Sequence, residues 1–252
     1  MLKIRQYIKA ETMEQAYELN QKKNNIILGG MLWLKMSDRN VDTVIDISGL
    51  GLDYIKEEDG IIKIGAKTSL RSVETSEILN KYTNGAMKEA LSHIVGVQFR
   101  NSATMGGSIF GRYGFSDVLT IFMAMKASVR LYKAGVVDME TFAGMKPDND
   151  ILVEILVPVT DINIAYNSVR NSHSDFPVLT CAVARMGDEY RISIGARPGR
   201  AVIYKGNNPD VILKEIDQTI ETQGNYRASA KYRHSLAAIL AQKGLEQTGG
   251  NV

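Results

Sequence analysis

The sequence predicts an α+β protein, and three observations carry that reading. Capped amphipathic segments and alternating apolar segments both recur along the chain. Two pairs of extended segments flank Asp-Gly or Gly-Asp turns, the chemistry of hairpins. The chain has 252 residues, 44 % of them hydrophobic and 23 % charged. That is enough for a sizeable core in one large domain or two to three small ones.

From the N-terminus, Glu11–Lys22 reads as an amphipathic helix capped by Thr12. Ile26-Ile27-Leu28 is a short apolar strand running into Gly29-Gly30. Val41–Ile47 and Ile61–Gly65 read as further strands, with a turn at Glu57-Glu58-Asp59-Gly60. Residues 70–94 read as helical with a break near Asn84-Gly85. Arg100–Ile109 is a loop rich in small residues. Ser116 or Asp117 caps a strong helix over Val118–Lys126.

Ser128–Tyr132 and Ile151–Val157 read as buried strands, the second entered through the polar turn Pro147–Asp150 and ended by Pro158. Asp161 and Asn163 lie in a more polar stretch, and a domain boundary is placed at 158–165. Val178–Met186 and Tyr190–Ala196 form a hairpin across Gly187-Asp188. Helices follow over Pro209–Thr222 and Ala228–Leu245, and residues 247–252 read as a disordered tail.

The formal net charge is only +2, from 30 basic and 28 acidic residues, which argues against a nucleic-acid binder working by phosphate neutralisation. No apolar run approaches membrane-spanning length. Met1–Arg5 lacks the apolar stretch of a signal peptide, so a cytoplasmic location is the default expectation. The lone Cys181 forms no internal disulfide and cannot by itself hold an iron–sulfur cluster. His93, His173 and His234 show no metal-ligand spacing. No Ser-His-Asp grouping or paired carboxylate stands out, so redox chemistry here needs an organic cofactor.

The two glycine pairs are the candidates for holding one. Consecutive glycines at a strand end can turn backbone N–H groups to one side with no Cβ in the way, the geometry of an anion cradle. Neither pair matches the G-x-G-x-x-G of a Rossmann site. Taken alone, such a pair is more often a turn. The second is better placed, with Ser102, Thr104 and Ser108 around it and a capped helix about ten residues on.

Ile26-Ile-Leu-Gly-Gly-Met-Leu-Trp-Leu-Lys35 resembles the first pyrophosphate loop in the FAD-binding subunit of the xanthine dehydrogenase and carbon monoxide dehydrogenase family. Arg100-Asn-Ser-Ala-Thr-Met-Gly-Gly-Ser-Ile109, followed by Phe115-Ser-Asp-Val-Leu119, is similar to that family's second loop. Val41–Leu50, Ile62–Ser69, Ile151–Pro158, Ser174-Asp175-Phe176 and Tyr226–Arg233 resemble further segments in the same order.

The resemblance implies a PCMH-type, vanillyl-alcohol-oxidase-like fold. Two α+β subdomains, about 1–56 and 57–160, would clasp FAD. A C-terminal domain over 161–246 would hold a small antiparallel sheet and helices. It implies partners too: a large subunit with a molybdenum cofactor, a small subunit with two [2Fe–2S] clusters, and an acceptor such as NAD, a ferredoxin or a quinone.

Site residues are carried over by match. Ile27, Leu28, Gly29, Gly30 and Met31 fall in the first loop. Ala103, Thr104, Gly106, Gly107 and Ser108 fall in the second. Asp117 matches an aspartate beside the ribityl or adenosine hydroxyls, and can equally cap a helix. Leu152 matches an apolar residue near a cofactor ring, and Ile94 a position that some members fill with an aromatic.

Met31-Leu32 stands where most members have Thr-Asp. Arg112 is either a substitute charge for the pyrophosphate or an ordinary surface arginine. Asn167 falls near a lysine position. Trp33 is a ring-stacking residue or, by the better bet, a core tryptophan. Tyr226–Arg233 is a docking segment or a solvated face. The implied function is an electron-transfer flavoprotein subunit. The alternatives are a scaffold or maturation protein that keeps the fold, and a self-sufficient oxidase.

Overall fold

Among the residues described by the computed structural model, 1–250, three β-sheets carry the helices. The first sheet is parallel, in the spatial order β1 (Lys3–Lys9), β3 (Asn40–Asp46), β2 (Ile26–Leu28). Helix α1 (Met13–Asn20) runs between β1 and β2 and buries Ala16 against Ile45 and Ile47. Thr12 caps it, the hydroxyl accepting the Gln15 N–H at 3.1 Å. Strand β1 escapes sequence reading because nearly all its side chains are exposed, so no apolar alternation marks it.

The second sheet is antiparallel, ordered β4 (Ile55–Glu58), β5 (Ile61–Gly65), β8 (Leu152–Pro158), β6 (Ser128–Leu131), β7 (Gly135–Asp138). Its first hairpin turns on Asp59 and Gly60, at φ 53° and 71°. Two successive positive φ angles make a two-residue turn matched to strand twist. Glu57 and Glu58, read as turn, therefore belong to β4. Seven short helices pack here: α2 (Leu70–Glu74), α3 (Glu77–Tyr82), α4 (Ala86–Ser92), α5 (Val97–Ser102), α6 (Met105–Phe110), α7 (Asp117–Ala124) and α8 (Met139–Gly144). The stretch 100–109, expected as a loop, is thus mostly helical. Its glycines are poor helix formers, but the Thr104 cap and bonds to the neighbouring chain override propensity.

The third sheet is antiparallel, ordered β12 (Val202–Gly206), β11 (Glu189–Gly195), β10 (Pro177–Met186), β9 (Ile162–Arg170). The polar stretch after Pro158 is β9. Strand β10 is buried on both faces: Cys181 and Val183 point to α9 (Pro209–Thr219) and α10 (Ala230–Gln247), while Ala182 and Ala184 join the core around α7. That apolar core runs from the second sheet into the third, so α7 belongs to both.

The expected tail is ordered up to residue 250. Gly249 takes φ 81° and the Gly250 N–H bonds back to the Leu245 carbonyl, a closed helix C-cap. Thr248 is buried beneath it, and Asn167 bonds Gln247. Residues 251 and 252 lie outside the described residues.

Candidate cofactor-binding cleft

A cleft of about 420 Å³ lies between the β2 strand with its following loop, helices α5 to α7, and the segment joining β9 to β10, within the size range of small-molecule sites. Its floor is the loop after β2. Lys67 lies behind this loop, its ammonium donating to the Leu28 and Gly29 carbonyls at 3.3 and 3.2 Å. In a trans peptide the C=O and N–H point opposite ways. The N–H groups of Gly29 and Gly30 therefore face away from Lys67.

None of the N–H groups from Gly29 to Trp33 donates to an acceptor in the described residues. Met31 takes the left-handed conformation, φ 64°, which continues the turn of N–H groups into a nest. A methionine rarely adopts that angle, and neither does a β-branched residue such as Val95 at φ 52°. Both line the cleft, and strained backbone of this kind gathers at ligand sites.

Neither Gly29 nor Gly30 has a positive φ. They are glycines because of close approach. A Cβ on Gly30 would stand 2.0 Å from the Ser102 carbonyl oxygen, and one on Gly29 would stand 3.1 Å from Thr104 Oγ1. The first loop thus rests directly on the α5–α6 junction.

That junction is closed. The Met105 N–H donates to the Thr68 carbonyl and the Gly106 N–H to the Ala66 carbonyl. The Gly107 N–H donates to Thr104 Oγ1 and the Ser108 N–H to the Thr104 carbonyl. A Cβ on Gly106 would come within 2.9 Å of the Ala66 oxygen. Gly106 therefore serves packing, while Gly107, whose Cβ would meet only Thr104 Oγ1 at 3.3 Å, lines the cleft with Thr104 and Ser108.

Arg100 braces the junction from behind. Its guanidinium grips the Glu74 carboxylate at 2.6 and 3.2 Å and donates to the Ile94 carbonyl at 3.0 Å. Burial pushes the Glu74 carboxyl up, but hydrogen bonds from Arg100 and Arg71 outweigh this and hold it below its ordinary value.

On the far wall Asp117 sits at the first position of α7, and Ser116 is the cap, accepting the Leu119 N–H at 2.9 Å. Asp117 Oδ1 accepts from Tyr166 Oη at 2.5 Å and from Arg170 Nη2. Oδ2 accepts no hydrogen bond from another of the described residues. Burial pushes this carboxyl up, and Arg170 and Tyr166 pull it back. Arg170 also lines the cleft, as do Trp33, Phe99, Tyr113, Phe115 and Phe176.

Residues 2–160 match the family described as the FAD binding domain in molybdopterin dehydrogenase. The chain belongs to this family. The glyceraldehyde dehydrogenase medium chain of Sulfolobus acidocaldarius is 26 % identical over 96 % of this chain and 97 % of its own. The uncharacterized protein YgfM of Escherichia coli K12 is 25 % identical over 94 % and 93 %. Among solved structures, carbon monoxide dehydrogenase from Hydrogenophaga pseudoflava aligns with TM-score 0.85 at 22 % identity, covering 96 % of each chain. The reconstituted CO dehydrogenase from Oligotropha carboxidovorans aligns with TM-score 0.86 at 18 % identity, covering 98 % of this chain and 97 % of that one. At these identities the likeness establishes the fold.

FAD is the cofactor of this family, and the cleft fits it. Five acceptor-less N–H groups suit a pyrophosphate, the unpartnered Asp117 Oδ2 and the hydroxyls of Thr104 and Ser108 suit sugar and phosphate oxygens, and the aromatic wall suits a flat ring. Of the residues carried over from sequence, Ile27, Leu28, Gly29, Gly30, Met31, Ile94, Ala103, Thr104, Gly107, Ser108 and Asp117 line the cleft. Gly106 sits behind it.

Arg112 and Leu152 lie elsewhere. Arg112 is no surface residue and lies outside the cleft lining. It is buried, donates to the Phe142 and Phe110 carbonyls, and stacks 3.8 Å over the Phe142 ring. Leu152 is buried in β8 opposite Leu131. Asn167 packs under α10, away from the cleft. Arg233, part of the basic segment read as a docking or solvated face, is buried.

Lys67 is the residue that sequence reading missed. A lysine after an Ile-Gly-Ala strand gives no sign that it points at a loop 38 residues away. Cys181 is an inert core thiol, its pKa pushed up to about 12 by burial.

Proposed function

We propose that this chain is the FAD-carrying electron-transfer component of a multi-subunit molybdenum-dependent dehydrogenase. In this role it receives electrons from the [2Fe–2S] clusters of a partner subunit and passes them to an acceptor such as NAD. The observation that carries the reading is the cradle of unpaired N–H groups at Gly29–Trp33 facing the hydroxyls of Thr104 and Ser108. Relatives named nicotinate dehydrogenase FAD-subunit and caffeine dehydrogenase subunit beta, each 29 % identical, support the same role. With one cysteine, these 252 residues cannot ligate an iron–sulfur cluster themselves.

In this role the first loop binds the pyrophosphate, Thr104 and Ser108 donate hydroxyl hydrogen bonds, and Asp117 Oδ2 accepts from a sugar hydroxyl. Arg170 and Tyr166 hold that carboxylate in place. The flavin supplies the electron chemistry, taking up and releasing one or two electrons. The protein orients it and excludes water from its buried side.

Purification of the full chain tests the reading. The protein should be yellow, release FAD rather than FMN on denaturation, and co-purify from its own cells with a large molybdenum chain and a cysteine-rich small one. A colourless chain that takes up no added FAD would instead support a scaffold or maturation protein built on the same fold.

A further inference from the structure

Trp33 is the one tryptophan of the chain. It ends the N–H cradle, three residues after Gly30. The centroids of four aromatic rings lie within 6.4 Å of its own. Phe99 and Phe115 present their edges at 5.7 and 5.9 Å, Tyr113 is tilted at 6.4 Å, and Phe176 lies closest to parallel, 28° off at 5.7 Å. These rings come from α5, from the segment before α7 and from the loop between β9 and β10. A tryptophan enclosed by such neighbours would be a core residue, but this one keeps 36 % of its surface exposed and lines the cleft. The fold holds an indole firmly on three sides and leaves the fourth open to the ligand site.

We propose that Trp33 is the platform on which the isoalloxazine ring of FAD rests in van der Waals contact. The inference builds on the FAD reading above and goes beyond it by choosing which end of the dinucleotide meets the aromatic wall. The choice follows from access. A ring that exchanges electrons with a partner must lie near the surface, and this wall is the cleft's open side. Val95 is 45 % exposed there, and residues 171–174 are exposed. Edge-on packing by Phe99 and Phe115 fixes the indole plane, so the platform is set before the ligand arrives. The adenine then lies beyond the pyrophosphate, away from Trp33.

Contact has an optical consequence. An excited isoalloxazine takes one electron from a touching indole and returns it, so its emission is lost with no net chemistry. That transfer requires near contact. The full chain loaded with FAD should therefore emit far more weakly than the FAD it releases, with a picosecond decay. Trp33→Phe should restore the emission several-fold and weaken FAD binding by up to about tenfold, the worth of one aromatic stack. Trp33→Leu should do the same, while Tyr113→Phe should leave the emission low.

Emission that stays low in both Trp33 variants, or that returns in Tyr113→Phe alone, overturns the assignment and leaves the FAD reading intact. A chain that binds no FAD overturns both. The decay in the unsubstituted chain guards against a variant that fails to fold. A nanosecond decay there contradicts the contact without any substitution.

Discussion

In the loop after β2, which lines the cleft, five successive N–H groups have no acceptor among the described residues. In the junction between α5 and α6, the N–H groups of residues 105–108 are all taken, two by the chain at Ala66 and Thr68 and two by Thr104. Both segments contain a glycine pair. In the first, the missing Cβ lets one loop lie on another while its amides stay free. In the second, it lets a helix lie on a strand end, and the amides are used up in holding it there. A glycine pair therefore marks close approach of backbones, and only the fate of its N–H groups separates a ligand cradle from a brace. The brace also determines the cradle, since the first loop rests on Ser102 and Thr104.

Substitutions should separate the two roles. The largest effect is expected from Arg100→Met, which takes two of the three guanidinium hydrogen bonds from the buried Glu74 carboxylate and leaves it only Arg71. Breaking such a pair costs about 3–5 kcal/mol, measurable by denaturant unfolding, and FAD affinity of the folded chain should change little. Gly30→Ala comes next. A Cβ 2.0 Å from the Ser102 oxygen forces the cradle off its seat. An overpacking cost of about 1–3 kcal/mol should appear chiefly as a loss of FAD affinity, up to about a hundredfold. Gly106→Ala should show the opposite split, a lower melting temperature with near-normal affinity.

Thr104→Ala is smaller. It removes a cap worth about 1 kcal/mol together with one hydroxyl facing the ligand, and Thr104→Ser should recover both. The smallest effect is on pH dependence. The Glu74 carboxyl lies below its ordinary value of 4.5, so its ion pair stabilises the fold above that pH and is lost as pH falls through the folded-state value. Acid unfolding of Arg100→Met should be correspondingly shallower than that of the parent chain.

Much of this was legible in the sequence. Hairpin turns at Asp59-Gly60 and Gly187-Asp188, the cap at Thr12 and the double-sided apolar run of β10 announce themselves through local chemistry. The ordered run of loop motifs picked out most of the cleft lining. Strand β1 was not legible because an exposed edge strand carries no periodicity, nor was α6, because tertiary bonds overrule its glycines. The free amides favour the loop that the motifs rank second, for a similar reason. Residue identity at Gly106-Gly107 fits the family pattern better than Met31-Leu32 does. Yet a cradle is built from main-chain amides, and those are indifferent to whether a threonine or a methionine follows. The burial of Arg112 was not legible because nothing in sequence tells a guanidinium stacked on Phe142 from one at the surface.

Amide chemical shifts of the ¹⁵N-labelled chain, followed through a titration with FAD, would decide between cradle and brace. The amides of Gly29–Trp33 should shift farthest, their protons moving downfield as each gains a phosphate acceptor, while those of Met105–Ser108 stay near their starting positions. Large downfield shifts at Met105–Ser108 with a silent first loop would contradict the assignment and return the pyrophosphate to the second glycine pair.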